Sequence, residues 1–143
     1  MTMKGIDLTR VLVVDDDADI LAVSEIALAT VGGLTIKSCS SGREALETGP
    51  SFAPDLIMLD STMPGMDGAE TLRTMRSIEA LADVPVVFFT ARAMRHEVDR
   101  FAALGAIGMV AKPFDPMTLA QDLRELWDRI CTSRPFQKGI EAA

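Results

Sequence analysis

The sequence predicts an α/β protein: a doubly wound parallel sheet of five consecutive βα units. Four short runs are apolar without interruption, which is typical of strands buried on both faces of a parallel sheet. Segments with the apolar spacing of amphipathic helices lie between these runs. The chain has 143 residues, of which 48% are hydrophobic, so it is long enough to bury one core of ordinary size.

The strands are predicted from apolar runs of strand length. A fifth run alternates between apolar and polar residues and contains Lys37, which favours a strand nearer the edge of the sheet. In chain order, the five runs are Val11 to Val14, Leu34 to Cys39, Leu56 to Leu59, Val84 to Phe89 and Ile107 to Ala111.

The helices are predicted from apolar periodicity together with capping and stop residues. Side chains that accept backbone N–H groups mark helix starts, and glycines mark helix ends. In chain order, these signals are Gly32 and Gly33 ending the first helix, Ser41 with Glu44 starting the second, Asp67 with Glu70 starting the third, Gly105 ending the fourth (roughly Met94 to Leu104), and Asp115 with Pro116 starting the fifth.

Strict β/α alternation with right-handed crossovers leaves few topologies. The flavodoxin-like arrangement, with strand order 2-1-3-4-5, is the one we expect. We place the folded domain at residues 10–131, after an N-terminal extension at 1–9. Residues 132–143 contain Pro and Gly without periodicity, which predicts a flexible tail too short to form a further domain.

Composition excludes several classes of function. With 21 acidic and 14 basic residues, the net charge is −7, so the chain lacks the basic surface that direct nucleic-acid binding requires. No window approaches the roughly 18 apolar residues of a membrane span, and the first residues lack the apolar core of a signal peptide. We therefore expect a cytoplasmic protein that binds neither nucleic acid nor membrane.

Polar residues follow the predicted strands at the points where they end. Asp15 and Asp16 follow the first strand, Asp60 the third, Thr90 the fourth and Lys112 the fifth. Ligands of open α/β sheets bind outside the carboxyl ends of the strands, so these side chains are expected to converge on one site.

Three carboxylates at one sheet edge need a cation. Like charges repel by about 4 kcal/mol per pair at roughly 4 Å and an effective dielectric constant near 20. Mg²⁺ accepts carboxylates together with water and phosphate oxygens, and Lys112 would add a charge for an anion. Taken singly, each residue has a structural explanation; for Asp17 and Asp19 we prefer helix capping.

The runs VLVVDDD, DLIMLDSTMPGMDG, VVFFTA and MVAKPFD closely resemble the receiver domain of bacterial two-component response regulators. The resemblance covers roughly Arg10 to Ile130. It implies that Asp60 accepts a phosphoryl group from a sensor histidine kinase or a histidine phosphotransfer protein, with Mg²⁺ essential. Asp15 and Asp16 match the family's acidic pair, and Thr62 would offer its backbone carbonyl to the metal.

The same resemblance assigns the remaining site positions. Thr90 and Lys112 match the hydroxyl and the lysine that contact the phosphoryl oxygens, and the bond before Pro113 would be cis. Many members carry Tyr or Phe as a switch three residues before this lysine, where this chain has Met109, so we expect a weaker or altered switch. Partner binding, including dimerisation, would use the fourth and fifth helices. The protein would then be a signalling protein that catalyses only its own phosphorylation and dephosphorylation.

Two alternatives remain open on the sequence. A haloacid-dehalogenase-like phosphatase also combines Asp, Mg²⁺, Thr and Lys on a doubly wound sheet, and Asp15 and Asp17 have its Asp-x-Asp spacing. A phosphorylation-independent interaction module would keep the fold without depending on Asp60. The downstream target cannot be read from the residues.

Overall fold

The structure, a computed structural model, describes residues 7–91, 95–131 and 141–142. Strands and helices alternate as the sequence predicts. The elements in chain order are β1 (Arg10–Val14), α1 (Ala18–Glu25) with a π-helical continuation (Ile26–Val31), β2 (Thr35–Cys39), α2 (Gly42–Phe52), β3 (Leu56–Asp60), α3 (Gly68–Arg76), a 3₁₀ turn (Glu79–Leu81), β4 (Val86–Thr90), α4 (Arg95–Ala103), β5 (Gly108–Ala111), α5 (Leu119–Cys131) and β6 (Glu141–Ala142).

The sheet is parallel throughout, with strand order β2-β1-β3-β4-β5-β6. The predicted order of the first five strands and the flavodoxin-like class are confirmed. The sixth strand, with two residues, was not predicted. It extends the sheet beyond β5, where Gly108 lies opposite Glu141 and Met109 opposite Ala142.

Parts of both predicted terminal segments lie outside the described residues, namely 1–6, 132–140 and 143. Within the predicted extension, Leu8 is buried in the core, and the Thr9 amide donates to Asp55 Oδ2 at 3.0 Å. Within the predicted tail, Glu141 and Ala142 pair with β5. Packed structure therefore begins before Arg10, and chain beyond Cys131 returns to the sheet.

The caps of α2 and α3 follow the sequence signals. Ser41 Oγ accepts the Glu44 amide at 3.0 Å, and Asp67 Oδ1 accepts the Glu70 amide at 2.9 Å. Glu44 completes the box one residue earlier than the standard pattern, since its Oε1 accepts the amide of Ser40 at 2.7 Å. Each cap satisfies a backbone donor that the first helical turn leaves free.

The other helix boundaries are also set by local hydrogen bonds. Gly33 closes the π-helical segment with a φ of +73°, a conformation that glycine adopts at little cost. Asp115 Oδ1 accepts the amide of Met117 at 2.9 Å, and a turn over 116–118 leads into α5 at Leu119. α4 begins at Arg95; its predicted start at Met94 lies outside the described residues.

The sheet divides the core into two layers, because successive side chains of a strand point to opposite faces. The first layer lies against α1 and α5 and contains Phe89 and Trp127; the Trp127 side chain is 2% exposed. The second layer lies against α2, α3 and α4 and contains Phe88, Phe101 and Met109. The strand β4 thus contributes neighbouring phenylalanines to opposite layers.

No helix in ranges 7–91 and 95–131 is long and apolar enough to cross a membrane.

Candidate functional site

Three carboxylates meet at the carboxyl end of the sheet. Asp15 and Asp16 follow β1, and Asp60 is the last residue of β3, which lies beside β1. One carboxylate oxygen of each residue lies within 4.8 Å of the others. Asp15 and Asp60 are buried, whereas Asp16 is exposed, so the group opens to solvent on one side.

Lys112 bridges the two buried carboxylates. Its Nζ lies 2.6 Å from Asp15 Oδ2 and 3.2 Å from Asp60 Oδ1. The same ammonium lies over the Phe89 ring, 4.4 Å from its centre, and makes a cation–π contact with it. One lysine thus faces three acidic residues, and the site carries an excess of negative charge.

Backbone amides fix the orientation of both carboxylates. Asp15 Oδ1 accepts the amide of Asp17 at 2.8 Å, and Asp60 Oδ1 accepts the amide of Thr62 at 3.2 Å. Thr62 therefore touches the site through its N–H; its carbonyl, expected from the family resemblance as a metal ligand, stays a prediction.

Burial changes the protonation of the central groups. The pKa of Asp60 is raised to about 6, first by burial and then by the charge of Asp15, although the Thr62 amide and Lys112 act against the rise. Burial lowers the pKa of Lys112, but its hydrogen bond to Asp15 and the two nearby carboxylate charges outweigh burial and raise it. The lysine is thus charged, and Asp60 titrates closer to neutrality than an exposed aspartate.

Thr90 ends β4 beside the lysine. Its side chain is buried, its residue lies opposite Ala111 in β5, and its carbonyl accepts the amide of Lys112 at 2.9 Å. The peptide bond between Lys112 and Pro113 is cis. The structure thus places all five strand-end residues of the sequence prediction at the same edge of the sheet.

Met109 lies deeper than these polar residues. It is 1% exposed and sits opposite Phe88 in the pairing of β4 with β5. The ring of Phe88 is stacked on Phe101 of α4, with centroids 4.2 Å apart and planes at 21°. Met109 is thus part of the second core layer rather than of the polar site.

Sequence reasoning did not single out Gly68, the first residue of α3. A Cβ here would press on the carbonyl oxygen of Asp60 and lie 2.8 Å from Ser61 Cα and 2.9 Å from Phe88 Cε1. The absence of a side chain lets α3 begin directly against the end of β3. The feature of the sequence that could have identified Gly68 is its position directly after the capping residue Asp67.

The donor set fits Mg²⁺. Carboxylate oxygens are the hard ligands this ion prefers, and an exposed carboxylate beside two buried ones leaves room for its remaining water ligands. A divalent cation would also offset the negative charge that Lys112 leaves uncompensated.

A comparison with protein families decides what kind of domain this is. The family model for the response regulator receiver domain matches residues 11–124. The chain belongs to this family. The sequence resemblance to the receiver domain is therefore confirmed.

Individual receiver proteins agree with the family match. The chain is 31% identical to the chemotaxis protein CheY of Pseudomonas aeruginosa over 121 residues, or 85% of this chain and 98% of that protein. It is 30% identical to CheY-3 of Vibrio cholerae, covering 85% of this chain and 93% of the relative. Receiver domains are signalling proteins rather than enzymes acting on small substrates.

Solved receiver structures superpose on the fold. The chemotaxis protein CheY4 of Vibrio cholerae gives a TM-score of 0.78 at 29% identity, covering 83% of this chain and 98% of that one. The BeF3-activated DrrB receiver domain gives a TM-score of 0.72 at 26% identity, covering 85% of this chain and 99% of that one.

Proposed function

We propose that this receiver domain accepts a phosphoryl group on Asp60 from a sensor histidine kinase or a histidine phosphotransfer protein. Mg²⁺ would be held by Asp15, Asp16, Asp60 and the carbonyl of Thr62. The observation that carries the proposal is the position of Lys112, whose ammonium contacts both buried carboxylates at 2.6 and 3.2 Å.

The chain's own residues account for the acceptor step. The Thr62 amide holds Oδ1 of Asp60, so the carboxylate presents a fixed direction to an incoming phosphorus. With a pKa of about 6, Asp60 is mainly ionised near neutral pH and can act as the nucleophile. The O–P bond to Asp60 forms as the donor histidine's N–P bond breaks.

Charge on the transferred group is the main barrier to this reaction. When bound, Mg²⁺ supplies positive charge next to the phosphoryl oxygens. Lys112 supplies a second, fixed positive charge, and its contacts with Asp15 and Phe89 hold the ammonium in place before the donor arrives.

The new phosphoryl group would change the surface of the domain. Its oxygens are strong acceptors, and the Thr90 hydroxyl, on the strand next to that of Asp60, would donate to them. Movement of Thr90 would shift the β4–α4 connection and bias a partner-binding surface formed by α4 and α5, where a dimer could also form.

The test is labelling with acetyl phosphate and Mg²⁺, followed by intact-mass analysis. One acid-labile phosphoryl group should appear in the wild type and in Asp67→Asn, a control that changes an exposed capping carboxyl outside the site. Asp60→Asn should remain unlabelled. Label that persists in Asp60→Asn would move the acceptor to Asp15, and an unlabelled wild type would favour the phosphorylation-independent interaction module.

A further inference from the structure

A stacked pair of rings joins α4 to the strand that ends in the site. The centroids of Phe88 and Phe101 are 4.2 Å apart, and the side chains are 0% and 1% exposed. Among residues 98–103, the part of α4 whose burial is described, Phe101 alone is fully buried. Phe101 is thus the most buried contact of α4 within this range, and Val98 and Ala102 pack partly buried against the same core layer.

The stack lies on the same side of the sheet as Thr90. Side chains alternate along a strand, so Phe88 and Thr90 share one face of β4. In the pairing with β5, Phe88 lies opposite Met109, and Thr90 lies opposite Ala111. A row of positions on one face of β4, Thr90 and then Phe88, thus leads from the site to the ring stacked on Phe88 from α4.

Met109 is poorly suited to carry a displacement along this row. Its side chain is unbranched and flexible, so it adapts to a moving neighbour by changing rotamer. Two stacked rings in a close-packed interior respond differently, because a packed aromatic contact shifts between discrete arrangements rather than deforming gradually.

We propose that Phe101 is the positioning residue through which α4 follows the state of the Asp60 site, with Phe88 as the intermediate ring. This inference rests on the proposed phosphorylation of Asp60. Displacement of Thr90 moves the end of β4, Phe88 moves with its strand, and the stacked Phe101 carries the change to α4. The aromatic side chain of the switch would then be Phe101 on α4, instead of a residue at the Met109 position in β5.

The test compares amide hydrogen exchange over residues 95–111 with and without beryllofluoride and Mg²⁺. The wild type should show a change on addition. Phe101→Leu and Phe101→Met fill most of the space but cannot stack, so the change should fall by about fivefold or more, while acetyl phosphate labelling stays within about twofold.

Phe52→Leu is the matched control. Phe52 ends α2 and packs under the guanidinium of Arg10, 4.2 Å from the ring centre, away from α4. This variant loses a ring of the same size and should keep the full wild-type exchange response.

Phe88→Leu removes the same stack from the strand side and should reproduce the loss. A full exchange response in any well-folded variant at position 88 or 101 would overturn the role of the stack while leaving the proposed function intact. An unlabelled wild-type Asp60 would overturn the proposed function, and this inference with it.

Discussion

Lys112 lies closer to Asp15 than to Asp60: its Nζ is 2.6 Å from Asp15 Oδ2 and 3.2 Å from Asp60 Oδ1. The negative charge of Asp60, the proposed acceptor, is thus less fully compensated than that of Asp15. The raised pKa of Asp60 follows from burial first and from the charge of Asp15 second. The ionised form of Asp60 is thus destabilised in the folded protein, which favours the approach of positive charge.

This state predicts how stability depends on pH without metal. The pKa of Asp60 is raised from 3.8 to about 6 in the folded protein. Its contribution to the free energy of unfolding is therefore complete at a pH below 3.8 and is lost as the pH rises through about 6. Between pH 4 and 7, the free energy of unfolding of the wild type should fall by on the order of 2 kcal/mol because of this group, and Asp60→Asn should remove that loss. Urea denaturation in a chelator measures it. An unchanged pH slope in the variant, with Asp67→Asn as the control, would contradict this.

Substitution of Asp16 should affect stability and metal binding in opposite directions. It is the exposed member of the carboxylate cluster, so Asp16→Ala removes repulsion without leaving a cavity. We expect a higher melting temperature without metal and weaker Mg²⁺ binding. In the wild type, Mg²⁺ at about a hundredfold its dissociation constant should add about 2.7 kcal/mol.

Asp19→Ala is the control for Asp16→Ala, because Asp19 is an exposed carboxylate of α1 outside the cluster. It should leave the Mg²⁺-induced rise in melting temperature unchanged. A wild-type melting temperature that does not respond to millimolar Mg²⁺ would count against the metal site.

At the level of elements, α3 begins so close to the end of β3 that there is no room for a side chain at Gly68. Gly68→Ala would press a methyl group on the Asp60 carbonyl and on the Phe88 ring. We expect a loss of about 1 to 3 kcal/mol in the free energy of unfolding, because backbone atoms on one side cannot yield. Thermal or urea denaturation measures the loss.

Gly49→Ala in α2 is the paired substitution. A Cβ at Gly49 would meet Leu12 and Leu81 at ordinary contact distances of 3.4 Å. It should be neutral or stabilise by up to about 1 kcal/mol through helix propensity. If Gly68→Ala were as well tolerated as Gly49→Ala, the close junction would have no role in the fold.

Local patterns predicted the strands, the caps and the positions of the site residues, because buried parallel strands are apolar throughout and ligands meet their carboxyl ends. Contacts that depend on packing could not be predicted. Asp15 and Lys112 are 97 positions apart, and which carboxylate the lysine approaches depends on the twist of the whole sheet. The stack of Phe101 on Phe88 depends likewise on where α4 settles.

Two other features left no usable trace in the sequence. The π-helical continuation of α1 keeps the apolar face of an ordinary helix, so periodicity does not reveal the change of pitch. The strand Glu141–Ala142 has two residues and no alternation to recognise. Its pairing is set by the free edge of β5 rather than by its own composition.

For the whole molecule, phosphoryl acceptance and transmission of the resulting change to the α4 surface should depend on different residues. In the proposed function, acceptance depends on Asp60, Mg²⁺ and Lys112, whereas transmission needs a group whose contacts differ between the two states, which we assign to Thr90. Thr90→Ala should therefore be labelled by acetyl phosphate but show a smaller exchange response to beryllofluoride over residues 91–111. Hydrogen exchange with mass spectrometry measures that response.

Thr74→Ala serves as the control for Thr90→Ala, since the Thr74 hydroxyl bonds only within α3, to the carbonyl of Glu70. It should respond to beryllofluoride as the wild type does. Identical exchange profiles of the wild type with and without saturating beryllofluoride would show that the switch does not use this face.

The division of the core by the sheet also determines which structural changes the intrinsic fluorescence of this protein can detect. Trp127 is the single tryptophan and the chain has no tyrosine, so intrinsic emission comes from one indole in the layer of α1 and α5. The rings that we assign to switching lie on the other side of the sheet. Fluorescence should therefore be a clean optical record of global unfolding, and a spectrum unaltered by a phosphoryl analogue would be compatible with a fully working switch.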